Sequence, residues 1–121
     1  MAKTVLVADD SPLIRRALCR LFEVEEDYDI CAEATNGQDA IDLALKHRPD
    51  LIILDMSMPI LNGMQAAREL KKIMPDVPII LFTQYEYLSS VILNSDHAVD
   101  RVVSKGDADT LIEQVRSLAP A

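Results

Sequence analysis

Four apolar runs punctuate the chain, and each stops at a residue that carries chemistry. Thr4-Val5-Leu6-Val7-Ala8 ends in Asp9-Asp10, and Leu51-Ile52-Ile53-Leu54 ends in Asp55. Pro78-Ile79-Ile80-Leu81-Phe82 ends in Thr83, and Val102-Val103-Ser104 ends in Lys105. Runs without polar alternation read as parallel strands covered on both faces. A fifth segment, Tyr28 to Ala34, alternates Ile30, Ala32 and Ala34 against Asp29, Cys31 and Glu33, the pattern of a half-exposed edge strand.

Helical spacing fills the gaps. Ser11 is placed to cap a first helix with Pro12 at its first position, and Leu13, Ile14, Ala17, Leu18 and Leu21 form its sheet-facing side. After Asn36-Gly37, a second helix carries Ala40, Ile41, Leu43, Ala44 and Leu45 and stops near Arg48-Pro49. A third, from about Gly63 to Met74, carries Ala66, Ala67, Leu70 and Ile73, with Pro75 ending it. The fourth, over 85–95, has the weakest pattern, with Tyr87, Leu88, Val91 and Ile92 among polar residues. Asp107 is expected to cap a fifth, with Leu111, Ile112, Val115 and Leu118 on one side. Strict alternation of strand and helix predicts an α/β fold, a doubly wound five-stranded parallel sheet in the order 2-1-3-4-5. The default ligand site of such a sheet is the crevice at the carboxyl ends of strands one and three, where Asp9, Asp10 and Asp55 converge.

Composition narrows the classes. At 121 residues, half of them apolar, the chain is expected to form one domain over residues 1–121 with a real core. A net charge of -8 weighs against direct contact with nucleic acid or an anionic membrane, since no cationic excess replaces phosphate counterions. Cys19 and Cys31 are too few for a disulfide scaffold and read as reduced thiols. Met1-Ala2-Lys3 runs straight into a strand, and no apolar run approaches the ~20 residues of a membrane span, so a cytoplasmic protein is expected.

Three carboxylates in one crevice repel each other unless a cation or protons neutralise them. An oxygen-only donor set suits Mg²⁺ rather than Zn²⁺. Aspartate is also a covalent acceptor of phosphoryl groups, a transfer that depends on positioning and charge neutralisation more than on a general base. Lys105 can supply a point charge, and Thr83 one further hydrogen bond.

Asp9-Asp10-Ser11, Leu54-Asp55-Met56-Ser57-Met58-Pro59, Asn62-Gly63, Thr83 and Lys105 together resemble the motif set of response-regulator receiver domains, the CheY-like phosphoacceptors of two-component signalling. The resemblance runs from about Lys3 to Leu118, and Met56 to Leu70 is most similar to receivers of LuxR-type transcription regulators. It implies a (βα)5 flavodoxin-like fold and a switch, not a turnover enzyme. Asp55 would accept the phosphoryl group from a sensor histidine kinase or a phosphotransfer protein. Asp10, Asp55 and the Ser57 backbone carbonyl would ligate Mg²⁺, and Asp9 would act through water. Lys105 and Thr83 would contact the phosphoryl oxygens. The implied output surface is the fourth helix, fifth strand and fifth helix, with an effector domain or a homodimer formed across the fourth-helix to fifth-helix face. Such an effector domain would be absent from this chain or removed from it.

Some positions depart from the family pattern. Val102 stands where an aromatic commonly swings inward, Gln84 where a small residue usually follows the threonine, Gly106 where proline is usual, and Arg101 where glycine is common. The expectation is slow or weakly coupled activation. Gln84 and Tyr85 would shield the acyl phosphate from water, and Tyr85, Tyr87 and Leu88 are candidates for a partner-binding face. Val102 and Gln84 also favour an alternative, a receiver-like binding module that works without phosphorylation. An aspartyl-phosphate phosphatase of the haloacid-dehalogenase type fits poorly, because it expects an Asp two residues before a second Asp at the first strand end, and Asp9 and Asp10 are adjacent. A nucleotide site fits worse: Asp9-Asp10-Ser11-Pro12 has no glycine to admit a pyrophosphate and carries charge that would repel one.

Overall fold

The structure, a computed structural model, describes residues 2–84 and 97–121. The helix expected over 85–95, including Tyr85, Tyr87 and Leu88, lies outside the described residues. Within them the chain forms β1 (Lys3–Ala8), α1 (Pro12–Glu23), β2 (Tyr28–Ala34), α2 (Gly37–His47), β3 (Leu51–Asp55), α3 (Gly63–Ile73), β4 (Ile79–Thr83), β5 (Arg101–Ser104) and α4 (Ala108–Leu118). The five strands make one parallel sheet in the order β2-β1-β3-β4-β5, as the alternation predicts.

The period of two along each central strand divides the core between the two faces. Leu6, Ala8, Ile52, Leu54, Ile79 and Leu81 pack with Ala40, Ile41 and Ala44 of α2 and Ala66, Ala67 and Leu70 of α3. Val5, Val7, Leu51, Ile53, Ile80 and Phe82 pack with Leu18 and Phe22 of α1 and Leu111 and Val115 of α4. Small residues on α2 and α3 let those helices sit close to the sheet. Both faces of β3 and β4 are therefore covered, which explains why their sequences show no alternation.

Capping follows the sequence at three helices. Ser11 Oγ accepts from the Ile14 N–H at the start of α1, and Asn36 Oδ1 from the Asp39 N–H at α2. Asn62 and Gln65 form a reciprocal capping box at α3. Arg48 ends α2 in the left-handed region at φ 50°. At α4, Asp107 occupies the cap position but its side chain makes no capping hydrogen bond, so that expectation is corrected.

Apolar patterning misassigns several positions. Leu13 is 73% exposed and Ala17 is exposed, because α1 meets the sheet through Ile14, Leu18, Leu21 and Phe22 instead. Leu45 and Ile73 also face outward, with Met74 buried just beyond α3. In β2 the register against β1 shifts between Val5 and Leu6, leaving Cys31 as an extra residue. Tyr28 and Ile30 therefore pack on the α1 and α4 side, whereas Cys31, Ala32 and Ala34 pack on the α2 and α3 side. Tyr28 is fully buried at the edge. Its hydroxyl donates to the Ala119 carbonyl at 2.7 Å, its ring meets Phe22 edge-on, and the Arg116 guanidinium lies 5.2 Å from its centroid. Arg116 also pairs with Glu25 and Asp27, tying α4 to the α1–β2 turn.

The loop from β3 to α3 holds the one strained backbone feature at a β-branched residue among the described residues. Ile60 has φ 71° and is 75% exposed, while the Leu61 N–H donates to the Pro59 carbonyl at 2.8 Å, closing a three-residue turn around it. A β-branched side chain with no buried contact gains little there and bears about 1–2 kcal/mol of steric penalty. Glycine removes that penalty but loses more chain entropy on folding, roughly 0.5–1 kcal/mol. We expect Ile60→Gly to leave stability unchanged or raise it by up to about 1.5 kcal/mol, read as an upward shift in the urea midpoint.

Candidate functional site

Asp9, Asp55, Thr83 and Lys105 meet at the carboxyl edge of the sheet because β1, β3, β4 and β5 are neighbours and parallel. Asp9 follows β1, Asp55 and Thr83 close β3 and β4, and Lys105 follows β5. The chain leaves β1 for β2 on one side and returns to β3 on the other, so the crevice lies at the switch point of the winding. Oxygen atoms of Asp9, Asp10 and Asp55 lie within 4.8 Å of one another. Asp9 and Asp55 are buried, and Asp10 is exposed at the rim.

Lys105 bridges the two buried acids, with Nζ 2.9 Å from Asp9 Oδ2 and 3.0 Å from Asp55 Oδ1. Its backbone N–H donates to the Thr83 carbonyl at 2.9 Å, which continues the β4–β5 pairing into the site. Asp9 Oδ1 accepts from the Ser11 N–H at 2.9 Å. Asp9 Oδ2 is buried without a well-formed hydrogen bond, and its ion-pair contact with Lys105 is electrostatic. The nearby Ser57 backbone N–H favours the ionised form of the Asp55 carboxyl. The Thr83 hydroxyl donates weakly to Met56 Sδ at 4.0 Å.

Burial pushes the Asp55 carboxyl above its ordinary range. The Lys105 hydrogen bond pulls it back, the Asp9 charge adds to the rise, and the net direction is up. For Lys105, burial acts downward, but contacts with Asp9 and Asp55 outweigh it and hold the ammonium above its ordinary value. The lysine is therefore firmly charged. One cation facing three acids leaves the cluster short of positive charge. A buried Asp9 oxygen that shares one ammonium with Asp55, and an all-oxygen set with an open rim at Asp10, fit a hard divalent cation such as Mg²⁺.

Backbone contact fixes the loop that carries Met56 to Asn62. The Gly63 N–H donates to the Met56 carbonyl at 3.0 Å, and a Cβ at Gly63 would stand 2.2 Å from the Asp55 carbonyl oxygen. Only glycine admits α3 that close to the strand end. Gly37 does the same for α2: its N–H donates to the Leu61 carbonyl, and an added Cβ would stand 2.3 Å from that oxygen.

The comparisons with known proteins agree with this geometry. The family model described as the response regulator receiver domain matches residues 5–116. The chain belongs to that family. This receiver is 30% identical over 118 residues to the transcriptional regulatory protein DegU of Brevibacillus brevis, covering 95% of the chain and 49% of that protein. It superposes with a TM-score of 0.85 on response regulator protein TrrA of Thermotoga maritima, solved in complex with Mg(2+)-BeF, at 38% identity and covering 96% of this chain and 98% of that one. A LuxR-family two-component response regulator from Aurantimonas sp. SI85-9A1 gives a TM-score of 0.89 at 25% identity, covering 98% and 86%. The receiver spans no more than 56% of the length of three curated relatives that it matches. Among its described residues no helix is long and apolar enough to cross a membrane.

The structure thus brings together Asp9, Asp10, Asp55, Thr83 and Lys105, with Ser57 beside Asp55. Sequence reasoning passed over Arg15, Met56 and the close approach at Gly63. Arg15 lies between Ile14 and Leu18, where a buried stem with a polar head was a readable signal. The Met56–Thr83 contact joins the ends of the neighbouring strands β3 and β4, so it follows from their register and not from any local pattern.

A raised Asp55 in the folded state binds more protons than the unfolded chain between its ordinary value and its folded value. Stability therefore falls as pH rises through that window. Ionised Asp55 is a net burden at neutral pH without a divalent cation. We expect Asp55→Asn to raise the urea midpoint at pH 7.5 in chelator, with the gain shrinking as pH falls towards the ordinary carboxylate range. Equal gains at both pH values would show that the charge of Asp55 is not the cause.

Proposed function

We propose that this receiver accepts a phosphoryl group on Asp55 in a Mg²⁺-dependent step and so acts as a phosphorylation-controlled switch. The observation that carries the reading is the cluster of Asp9, Asp10 and Asp55 within 4.8 Å, spanned by the Lys105 ammonium. An Asp55 carboxylate oxygen would attack phosphorus, the bond from phosphorus to the donor histidine nitrogen would break, and the imidazole would leave with that electron pair. Asp9, Asp10, Asp55 and the Ser57 carbonyl would hold the cation, which when bound neutralises acids and phosphoryl oxygens. Lys105 would move from Asp9 towards the incoming oxygens, and Thr83 would turn from Met56 to donate to them.

The partners in this reading are a sensor histidine kinase or phosphotransfer protein, and an effector domain or a second copy meeting the last helix and β5. The domain spans residues 1–121, works in the cytoplasm, and catalyses only its own phosphorylation and dephosphorylation. A second reading, a binding module independent of phosphorylation, draws on Val102. That side chain is half-buried opposite Leu81 and packs against the α2 and α3 side of the core, with no ring to rotate.

Incubation with acetyl phosphate and Mg²⁺ is expected to add one phosphoryl group by intact mass. The gain should vanish in Asp55→Asn and in chelator. No gain, confirmed with a phosphorylated histidine donor, would move the binding module to first place. The Val102 packing further predicts small amide shifts over residues 85 to 105 on phosphorylation. Large shifts there would show that the switch couples strongly without an aromatic.

A further inference from the structure

We propose that Arg15 is a positioning residue for the acidic pair, gripping the peptide that joins Asp9 to Asp10. The inference rests on the reading above, that these acids hold Mg²⁺. Asp9 lies one residue past the last β1–β3 pair, Ala8 with Leu54, so its carbonyl leaves the ladder without a strand partner. Arg15 supplies one: Nη1 donates to that carbonyl at 2.8 Å. The Asp9 N–H donates to the Ala34 carbonyl of β2 at 3.0 Å, and the Ser11 N–H to Asp9 Oδ1 at 2.9 Å. Asp9 is thus held at its N–H, its carboxylate and its carbonyl, and the carbonyl is the atom whose direction sets where Asp10 starts.

The guanidinium is itself oriented. Its Nε lies 3.5 Å from Glu33 Oε1 on β2, and the arginine side chain is only 18% exposed. Glu33 also lies near the Cys19 thiol, one turn further along α1, where burial raises the thiol pKa and Glu33 adds to the rise. A planar fork can face a strand-end carbonyl and a strand carboxylate at the same time, whereas a lysine ammonium on a flexible stem holds one direction poorly. Pairing with Glu33 offsets the arginine charge, so the contribution to the site is geometric rather than a second counter-ion. Groups that orient ligands in this way commonly change metal affinity by about 10–100-fold when removed.

Calorimetric titration of Mg²⁺ into the metal-free chain tests this, with urea unfolding of each variant in chelator alongside. Arg15→Met is expected to weaken Mg²⁺ about ten-fold. Arg15→Lys should recover only part of that, and Glu33→Gln, which keeps an acceptor but loses the charge, should fall between wild type and Arg15→Met. If Arg15→Met does not fold, the other two variants carry the test. Full recovery by Arg15→Lys would assign the effect to charge alone and overturn positioning. Affinities within about two-fold of wild type in every folded variant would overturn it as well. A wild-type chain that takes up no Mg²⁺ would sink the cation reading and this one together, whereas wild-type binding with insensitive variants would sink this one only.

Discussion

The mutual repulsion of three carboxylates is the constraint around which the rest of the site is arranged. Their oxygens lie within 4.8 Å, and two of the three acids are buried. Unit charges at that spacing cost little in bulk water but several kcal/mol at the effective dielectric of a protein rim. The fold places a single ammonium against the two buried members and leaves the third at the surface, where water screens it. This arrangement is incomplete by design of charge alone: one positive group faces three negative ones. It makes the site receptive to a further cation, and it binds the ends of β1, β3 and β5 into one electrostatic unit.

The same edge depends on very short backbone distances. Gly63 brings the start of α3 against the Asp55 carbonyl, and Gly37 brings α2 against Leu61, so the segment between them is held at both flanks. Between these anchors the chain must cover a short span, and it does so through the tight turn at Ile60. The turn and the two close approaches together fix the loop that follows Asp55. The loop fixed in this way carries Ser57, whose backbone N–H favours ionised Asp55.

Much of this was legible in the chain, for a physical reason. Central parallel strands are buried on both faces, so Leu51 to Leu54 and Ile79 to Phe82 advertise themselves as unbroken apolar runs, and strand order follows from the edge-like pattern of Tyr28 to Ala34. Chemistry at strand ends is equally visible, because Asp55, Thr83 and Lys105 each stand directly after such a run. What stayed hidden involves pairs distant in sequence or one-residue changes of register. The bulge at Cys31 moves Ile30 to the opposite face from Ala32, and no local period records it. Leu13 and Ala17 share the spacing of the buried stripe, yet the stripe through Ile14, Leu18 and Phe22 wins the sheet. Arg15 and Tyr28 act through carbonyls of Asp9 and Ala119, which no side-chain pattern can report.

At the β4–β5 edge the site is tied directly to the sheet. Lys105 and Thr83 are joined by a backbone hydrogen bond, and Val102 faces Leu81 two positions before Thr83. A ligand shifts an equilibrium only by its differential interaction with the two states. With valine at that position, aromatic rotation cannot provide the difference. In the proposed phosphoacceptor reading it would arise from Lys105 exchanging its contact with Asp9 and from Thr83 leaving Met56. Both movements would act on the same backbone pair, so the proposed response would begin at the ends of β4 and β5.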